Sequence, residues 1–88
     1  MPFRVVFDKK AEKDMKKLDK TQAERIYSWI MEKIDGCENP RTFGKPITGS
    51  AAGNWRYRVG EYRVVCEIQD DVCLVLVVKV GHRSRVYD

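Results

Sequence analysis

The chemistry available to this chain concentrates in one segment, Trp55-Arg56-Tyr57-Arg58-Val59-Gly60-Glu61-Tyr62-Arg63. Read as a strand, it sends Trp55, Tyr57 and Val59 to one face and Arg56 and Arg58 to the other, because successive side chains alternate. Gly60-Glu61 suits a two-residue turn with glycine first, type II′. That turn pairs Val59 with Tyr62 and sets Arg58 directly opposite Arg63. Three guanidinium groups then share one face within two strands. Like charges facing each other across a ladder cost on the order of a few tenths to 1 kcal/mol. No acid in the strand interiors is placed to relieve them: Glu61 lies in the turn, and only Glu67 points to the same side. Long flexible stems would let the arginines spread over solvated surface. The better reading is an anion site, since planar guanidinium groups match phosphate oxygens bidentately.

A second cluster ends the sequence: Gly81-His82-Arg83-Ser84-Arg85-Val86-Tyr87-Asp88. Gly81 permits the preceding strand to bend or stop. His82, the only histidine, is the one side chain whose unperturbed pKa lies near neutrality. Basic groups interleaved with an aromatic suit single-stranded RNA, which needs phosphate neutralisation and a stacking surface. The plainer reading is a frayed basic tail.

The elements that must position these groups are legible in outline. Phe3-Arg4-Val5-Val6-Phe7 alternates as a strand, and Asp8 offers an N-cap to a helix carrying Ala11, Met15 and Leu18 at helical spacing. Its lysines (Lys9, Lys10, Lys13, Lys16, Lys17 and Lys20) alternate with acids, as on a solvated helical face; a supporting contact with RNA is the sharper alternative. Thr21-Gln22-Ala23-Glu24 fits a capping box. Ala23, Ile26, Tyr27, Ile30 and Ile34 then line one face of a second helix ending near Gly36. So short a link predicts an αα-hairpin. Residues 37–53 read as a long surface connection, more often functional than decorative in so small a domain. Strands follow at Asn54–Val59, Tyr62–Gln69 and Val72–Val80, the last apolar on both faces as a central strand is. The order β-α-α-β-β-β predicts an α+β fold, two N-terminal helices packed on a small, mainly antiparallel four-stranded sheet.

Composition narrows the function. Eighty-eight residues with a net charge of +4 predict one domain, residues 1–88, facing an anionic partner. The longest apolar run, Val72–Val78, is too short to cross a bilayer, and no signal-peptide pattern opens the sequence. Cys37, Cys66 and Cys73 are odd in number and lack CxxC spacing, so neither a disulfide framework nor a zinc site is expected. Cys66 and Cys73 are expected in the core, and Trp29 either packs or presents an exposed contact. The compartment implied is the reducing cytoplasm, with no cofactor and no metal.

Gly44-Lys45-Pro46-Ile47-Thr48-Gly49, Trp55–Val65, Val80-Gly81-His82-Arg83 and Val86-Tyr87 together resemble the RelE branch of the RelE/ParE toxin superfamily, over nearly the whole chain. The resemblance implies a toxin of a type II toxin–antitoxin system. It would be a ribosome-dependent, metal-independent endoribonuclease that cuts messenger RNA in the A site and arrests translation. Its partners would be mRNA on the ribosome, the 16S rRNA of the 30S A site and a RelB-like antitoxin. In such toxins the ribose 2′-OH attacks the adjacent phosphate, leaving a cyclic phosphate and a 5′-OH.

By the same resemblance Arg56 and Arg58 fall where two basic residues, frequently lysines, stand on this strand. Arg63 falls on the arginine that steadies the phosphate, Arg83 on the one that protonates the leaving group, and Tyr87 on the tyrosine that orients the nucleotide. Lys45 and Arg85 join Arg56 as RNA-binding candidates. Three features depart from the pattern. Position 58 carries arginine, and guanidinium does not deprotonate near neutrality: Arg58 then acts electrostatically, or His82 or the ribosome supplies the base. The spacing from Arg83 to Tyr87 is also short, and no further C-terminal helix follows. A ParE-like toxin directed at DNA gyrase, or an inactive module binding RNA or antitoxin, are the alternatives. An apolar groove between helices and sheet would serve antitoxin binding in either toxin.

One geometric choice stays open in the sequence. A two-residue loop at Asp70-Asp71 puts Lys79 on the face opposite Arg63, and Arg83 with it unless Gly81 breaks the strand; a three-residue loop or a bulge brings Arg83 onto the arginine face.

Overall fold

The computed structural model describes residues 1–48 and 54–82. In chain order the elements are β1 (Arg4–Phe7), α1 (Lys9–Lys17), α2 (Lys20–Lys33), β2 (Lys45–Pro46), β3 (Asn54–Val59), β4 (Tyr62–Gln69) and β5 (Leu74–His82). A 3₁₀ turn, Asp70–Val72, links β4 to β5. The expected α+β architecture is present, with one correction: the sheet has five strands in the order β1-β5-β4-β3-β2. The added strand is β2, too short and too rich in loop residues for alternation to register. The sheet is mixed, since β1 runs parallel to β5 while the other pairs are antiparallel.

Asp8 caps α1 as expected, its Oδ1 accepting from the Ala11 N–H at 2.8 Å. The capping box at Thr21 does not form. Chain reversal is complete within Leu18 and Asp19, both extended, so α2 begins at Lys20 with Asp19 in the N-cap place. Thr21 therefore lies inside the first turn and Glu24 beyond it. Ile26, Ile30 and Ile34 are wholly buried against the sheet, each such burial contributing about 1.5–3 kcal/mol. Tyr27, placed on the same face by periodicity, is half exposed and meets Phe7 at 6.1 Å. Cys66 is fully buried, whereas Cys73 sits outside the strand at φ 52°, terminating the turn. Its strand accordingly starts at Leu74 and leaves Val72 exposed.

The described part of the long connection after α2 is tied down. Gly36 N–H donates to the Phe3 carbonyl at 2.7 Å and Phe3 N–H to that of Cys37 at 2.8 Å, so this segment covers the outer edge of β1. The buried Tyr57 hydroxyl donates to the Pro40 carbonyl at 2.6 Å, and Trp55 Nε1 to that of Phe43 at 2.7 Å. Arg41 grips Asp70 through two 2.9 Å hydrogen bonds and lies 5.9 Å from the Trp55 ring centroid. Gly44, at φ +82°, lies so close to β3 that a Cβ there would meet the Arg56 carbonyl oxygen and, at 2.6 Å, Trp55 Nε1. No helix among the described residues is long and apolar enough to cross a membrane.

Candidate functional site

The β3–β4 register is the one that alternation and the turn require: Arg58 faces Arg63 and Val59 faces Tyr62. Gly60 has φ +60° and Glu61 is not in the left-handed region, the combination of a type II′ turn. Tyr57 and Val59 enter the core while Arg58 is exposed, and Arg56 and Arg63 are half-buried. Lys45 lies opposite Arg56 on β2. These four basic residues line a single cleft of about 300 Å³, closed by Trp29, Phe43, Gly44 and Tyr57. Trp29 resolves as a packing residue, its ring 5.6 Å from Tyr57 and 5.7 Å edge-on to Phe43. Among the described residues no carboxylate pairs with Arg58 or Lys45.

The loop and bulge question is decided by β5. Gln69 pairs with Leu74, so four residues separate the ladders, a count with the same parity as two. The register then shifts: Cys66 faces Val77, but Val65 faces Lys79 and Arg63 faces Gly81. Val78 is the extra residue of a bulge, and it packs against Val65 and Ile47 on the open face of the sheet. Lys79 and Gly81 thus stand on the arginine face. The sequence left the face of Lys79 open, because a strand apolar on both faces carries no parity signal.

His82 is not brought to the arginine cleft. It faces Tyr62, whose neighbour Val59 points into the core, so it lies on the opposite face from Arg58 and Arg63, with its ring 5.6 Å from that of Tyr62. It lines a separate groove of about 700 Å³ that runs along the edge of β5 beyond β1, with Lys10, Asp14, Lys17 and the edge residue Lys79. Asp14 accepts from the Val80 N–H at 3.0 Å and Lys10 Nζ at 3.4 Å, closing the edge of β5 beyond β1. Arg83, Arg85 and Tyr87 lie outside the described residues. One cation escaped the sequence reading entirely: the Arg25 guanidinium on α2 lies over the β3–β4 turn, 2.7 Å from where a Gly60 Cβ would stand.

Burial pushes the Tyr57 phenol and the Cys66 thiol well above their ordinary ranges, so neither is a source of negative charge beside the cleft. The hydrogen bonds from Arg41 hold Asp70 below the usual carboxylate range. What the described cleft offers is positive charge on a rigid hairpin, beside aromatic surface. Such a site binds anions and stabilises charge that develops on a phosphate.

The fold, a small sheet with two helices packed on one face, is shared with known toxins. A family described as "ParE toxin of type II toxin-antitoxin system, parDE" matches residues 5–87. The toxin RelG of Mycobacterium tuberculosis is 33% identical, over 99% of this chain and 98% of that protein. The toxin–antitoxin complex RelBE2 of the same organism superposes with a TM-score of 0.83 at 28% identity, covering 94% of this chain and all of that one. A double arginine-to-alanine mutant of Escherichia coli toxin RelE in the free state gives 0.75 at 26% identity, covering 93% and 84%. The chain belongs to the RelE/ParE family of toxins of type II toxin–antitoxin systems. Within it, the chain is of the RelE type.

Proposed function

We propose that this toxin is a cytoplasmic, ribosome-dependent endoribonuclease that cuts messenger RNA in the A site, without a metal. The observation that carries the reading is the Arg58–Arg63 pair, set opposite across the hairpin with Arg56 and Lys45 in the same cleft. Stacking like charges at a ladder position costs stability, and a phosphate dianion-like transition state is what such a pair would offset. The ribose 2′-OH attacks the adjacent phosphorus, its proton leaves, and the 5′-oxygen departs after taking up a proton, giving a cyclic phosphate and a 5′-OH. Arg58 and Arg63 hold the equatorial oxygens. Arg83 protonates the leaving oxygen and Tyr87 orients the nucleotide, roles that follow from the resemblance. With His82 on the other face of the sheet, the ribosome is the remaining candidate to supply the base.

The proposed partner in the resting cell is a RelB-like antitoxin, as in the complexes this chain is similar to. The apolar pocket formed by Phe7, Met15 and Tyr27 between helices and sheet suits it. The deciding experiment is primer extension on translating ribosomes with purified toxin and with Arg63→Ala. Discrete A-site cuts, lost in the variant, are expected. Intact message from a toxin that still arrests growth would replace this reading with gyrase inhibition, the alternative that the ParE description of the family keeps in view.

A further inference from the structure

Phe43 is one of five large hydrophobic side chains in the described structure that stay exposed, at 41%. Its surroundings set it apart from the others. It lines the same cleft as Arg56, Arg58 and Arg63, and it is not mobile surface. Its carbonyl accepts from Trp55 Nε1 at 2.7 Å, Trp29 meets its ring edge-on at 5.7 Å, and the next residue, Gly44, is pressed flat on β3. A rigid aromatic held beside guanidinium groups has the composition of a single-stranded nucleic acid subsite: a flat apolar ring takes the base, and the cations take the phosphate next to it.

We infer that Phe43 is a base-stacking platform of the cleft, which receives a nucleobase of the message adjacent to the phosphate held by Arg58 and Arg63. This rests on the proposed cleavage of RNA and adds to it a residue that contacts substrate and sets context. Stacking on an aromatic ring tolerates every base because each has a π face, while favouring larger bases. Phe43 therefore strengthens binding broadly, and purines most.

The test is single-turnover cleavage on ribosomes programmed with messages carrying each natural base, or an abasic nucleotide, at the positions flanking the cut. For wild-type toxin the abasic message should raise the half-saturating toxin concentration by about tenfold or more, the range of one base–aromatic stack. Phe43→Leu should show the same loss on natural messages and no further loss on the abasic one. Phe43→Tyr, which keeps the ring, should restore wild-type behaviour and guards against a folding defect. Equal losses for Phe43→Leu on natural and abasic messages would overturn the inference and leave only a packing role or a contact to ribosomal RNA. Wild-type indifference to the abasic site would overturn it as well, with cleavage itself intact. Failure of wild-type toxin to cut any programmed message would overturn it together with the nuclease reading, a distinguishable result.

Discussion

Arg58→Gln should make the protein more stable and less active at once. Arg58 and Arg63 are directly opposite across the β3–β4 ladder, where Cα atoms stand only about 4.5–5.5 Å apart. Arg58 is exposed, so water and its own stem dilute the repulsion, and the cost of the pair belongs in the range of about 0.2–1 kcal/mol. For a domain of this size 1 kcal/mol moves Tm by about 4–8 °C, so the variant should melt about 1–8 °C higher at low ionic strength. The gain must shrink in 1 M salt, where the screening length falls to about 3 Å. Cleavage, by contrast, should drop by about 10²–10³ if Arg58 stabilises charge on the phosphate. Arg58→Lys keeps the charge and should show neither the stability gain nor its salt dependence. Thermal melts at two salt concentrations, alongside ribosome cleavage, separate the outcomes. A variant that melts lower at low salt, or whose gain survives 1 M salt, would refute the electrostatic account. A stabilised variant that cuts at the wild-type rate would refute the placement of Arg58 in the site.

Three further outcomes follow from the anchoring of the loop. Tyr57→Phe removes the buried hydrogen bond to the Pro40 carbonyl and should cost about 1–3 kcal/mol, read as a lower urea midpoint at unchanged m. Gly44→Ala places a Cβ against Trp55 Nε1 and the Arg56 carbonyl at a left-handed φ. It should cost about 1–3 kcal/mol and weaken cleavage by displacing Lys45 and Phe43. Asp70→Asn tests the latch to Arg41. Because the Asp70 carboxyl is held below its ordinary value by Arg41, its contribution is complete above the unfolded carboxylate pKa of about 4. It is lost as pH falls through the lower folded value. Wild type should therefore exceed Asp70→Asn by at most about 1 kcal/mol near neutrality, since the pair is exposed. The two should converge below about pH 4 in pH-resolved urea melts.

The hairpin carrying Arg58 and Arg63 was legible because two local signals agree there. Alternation assigns the faces, and Gly60 at the first turn position fixes the register. The face of β5 was not legible. Val72 to Val80 are apolar on both sides apart from Lys79, so hydrophobic pattern cannot count residues through the bulge at Val78. The face of Lys79 is consequently something only the register decides, and His82 is a base candidate that the register sets on the other face. The ordering of the loop was hidden for another reason: Tyr57 and Trp55 read as core aromatics, and nothing local announces that their polar atoms bond Pro40 and Phe43. The Thr21 capping box failed because Leu18 and Asp19 alone complete the chain reversal, and capping residues only fix a helix start that the preceding link leaves free.

The site's position follows from where the sheet stops being paired. β2 is only Lys45 and Pro46, and before it Gly44 turns the chain at a left-handed φ. Beyond Arg56, β3 therefore has no outer neighbour among the described residues. An open strand edge invites pairing with another chain, and charge is one way proteins blunt it. Arg58 stands on that edge and Arg63 beside it. The same charges that cost stability inside the hairpin thus keep the edge from acting as a template. They also face the space where β2 ends, which is what makes a cleft of the surface rather than a flat sheet. Edge protection by itself would be met by a single lysine. Three guanidinium groups and a lysine around one cleft, with a fixed aromatic on its wall, exceed that need, and the proposed phosphate recognition is a role that would use the excess.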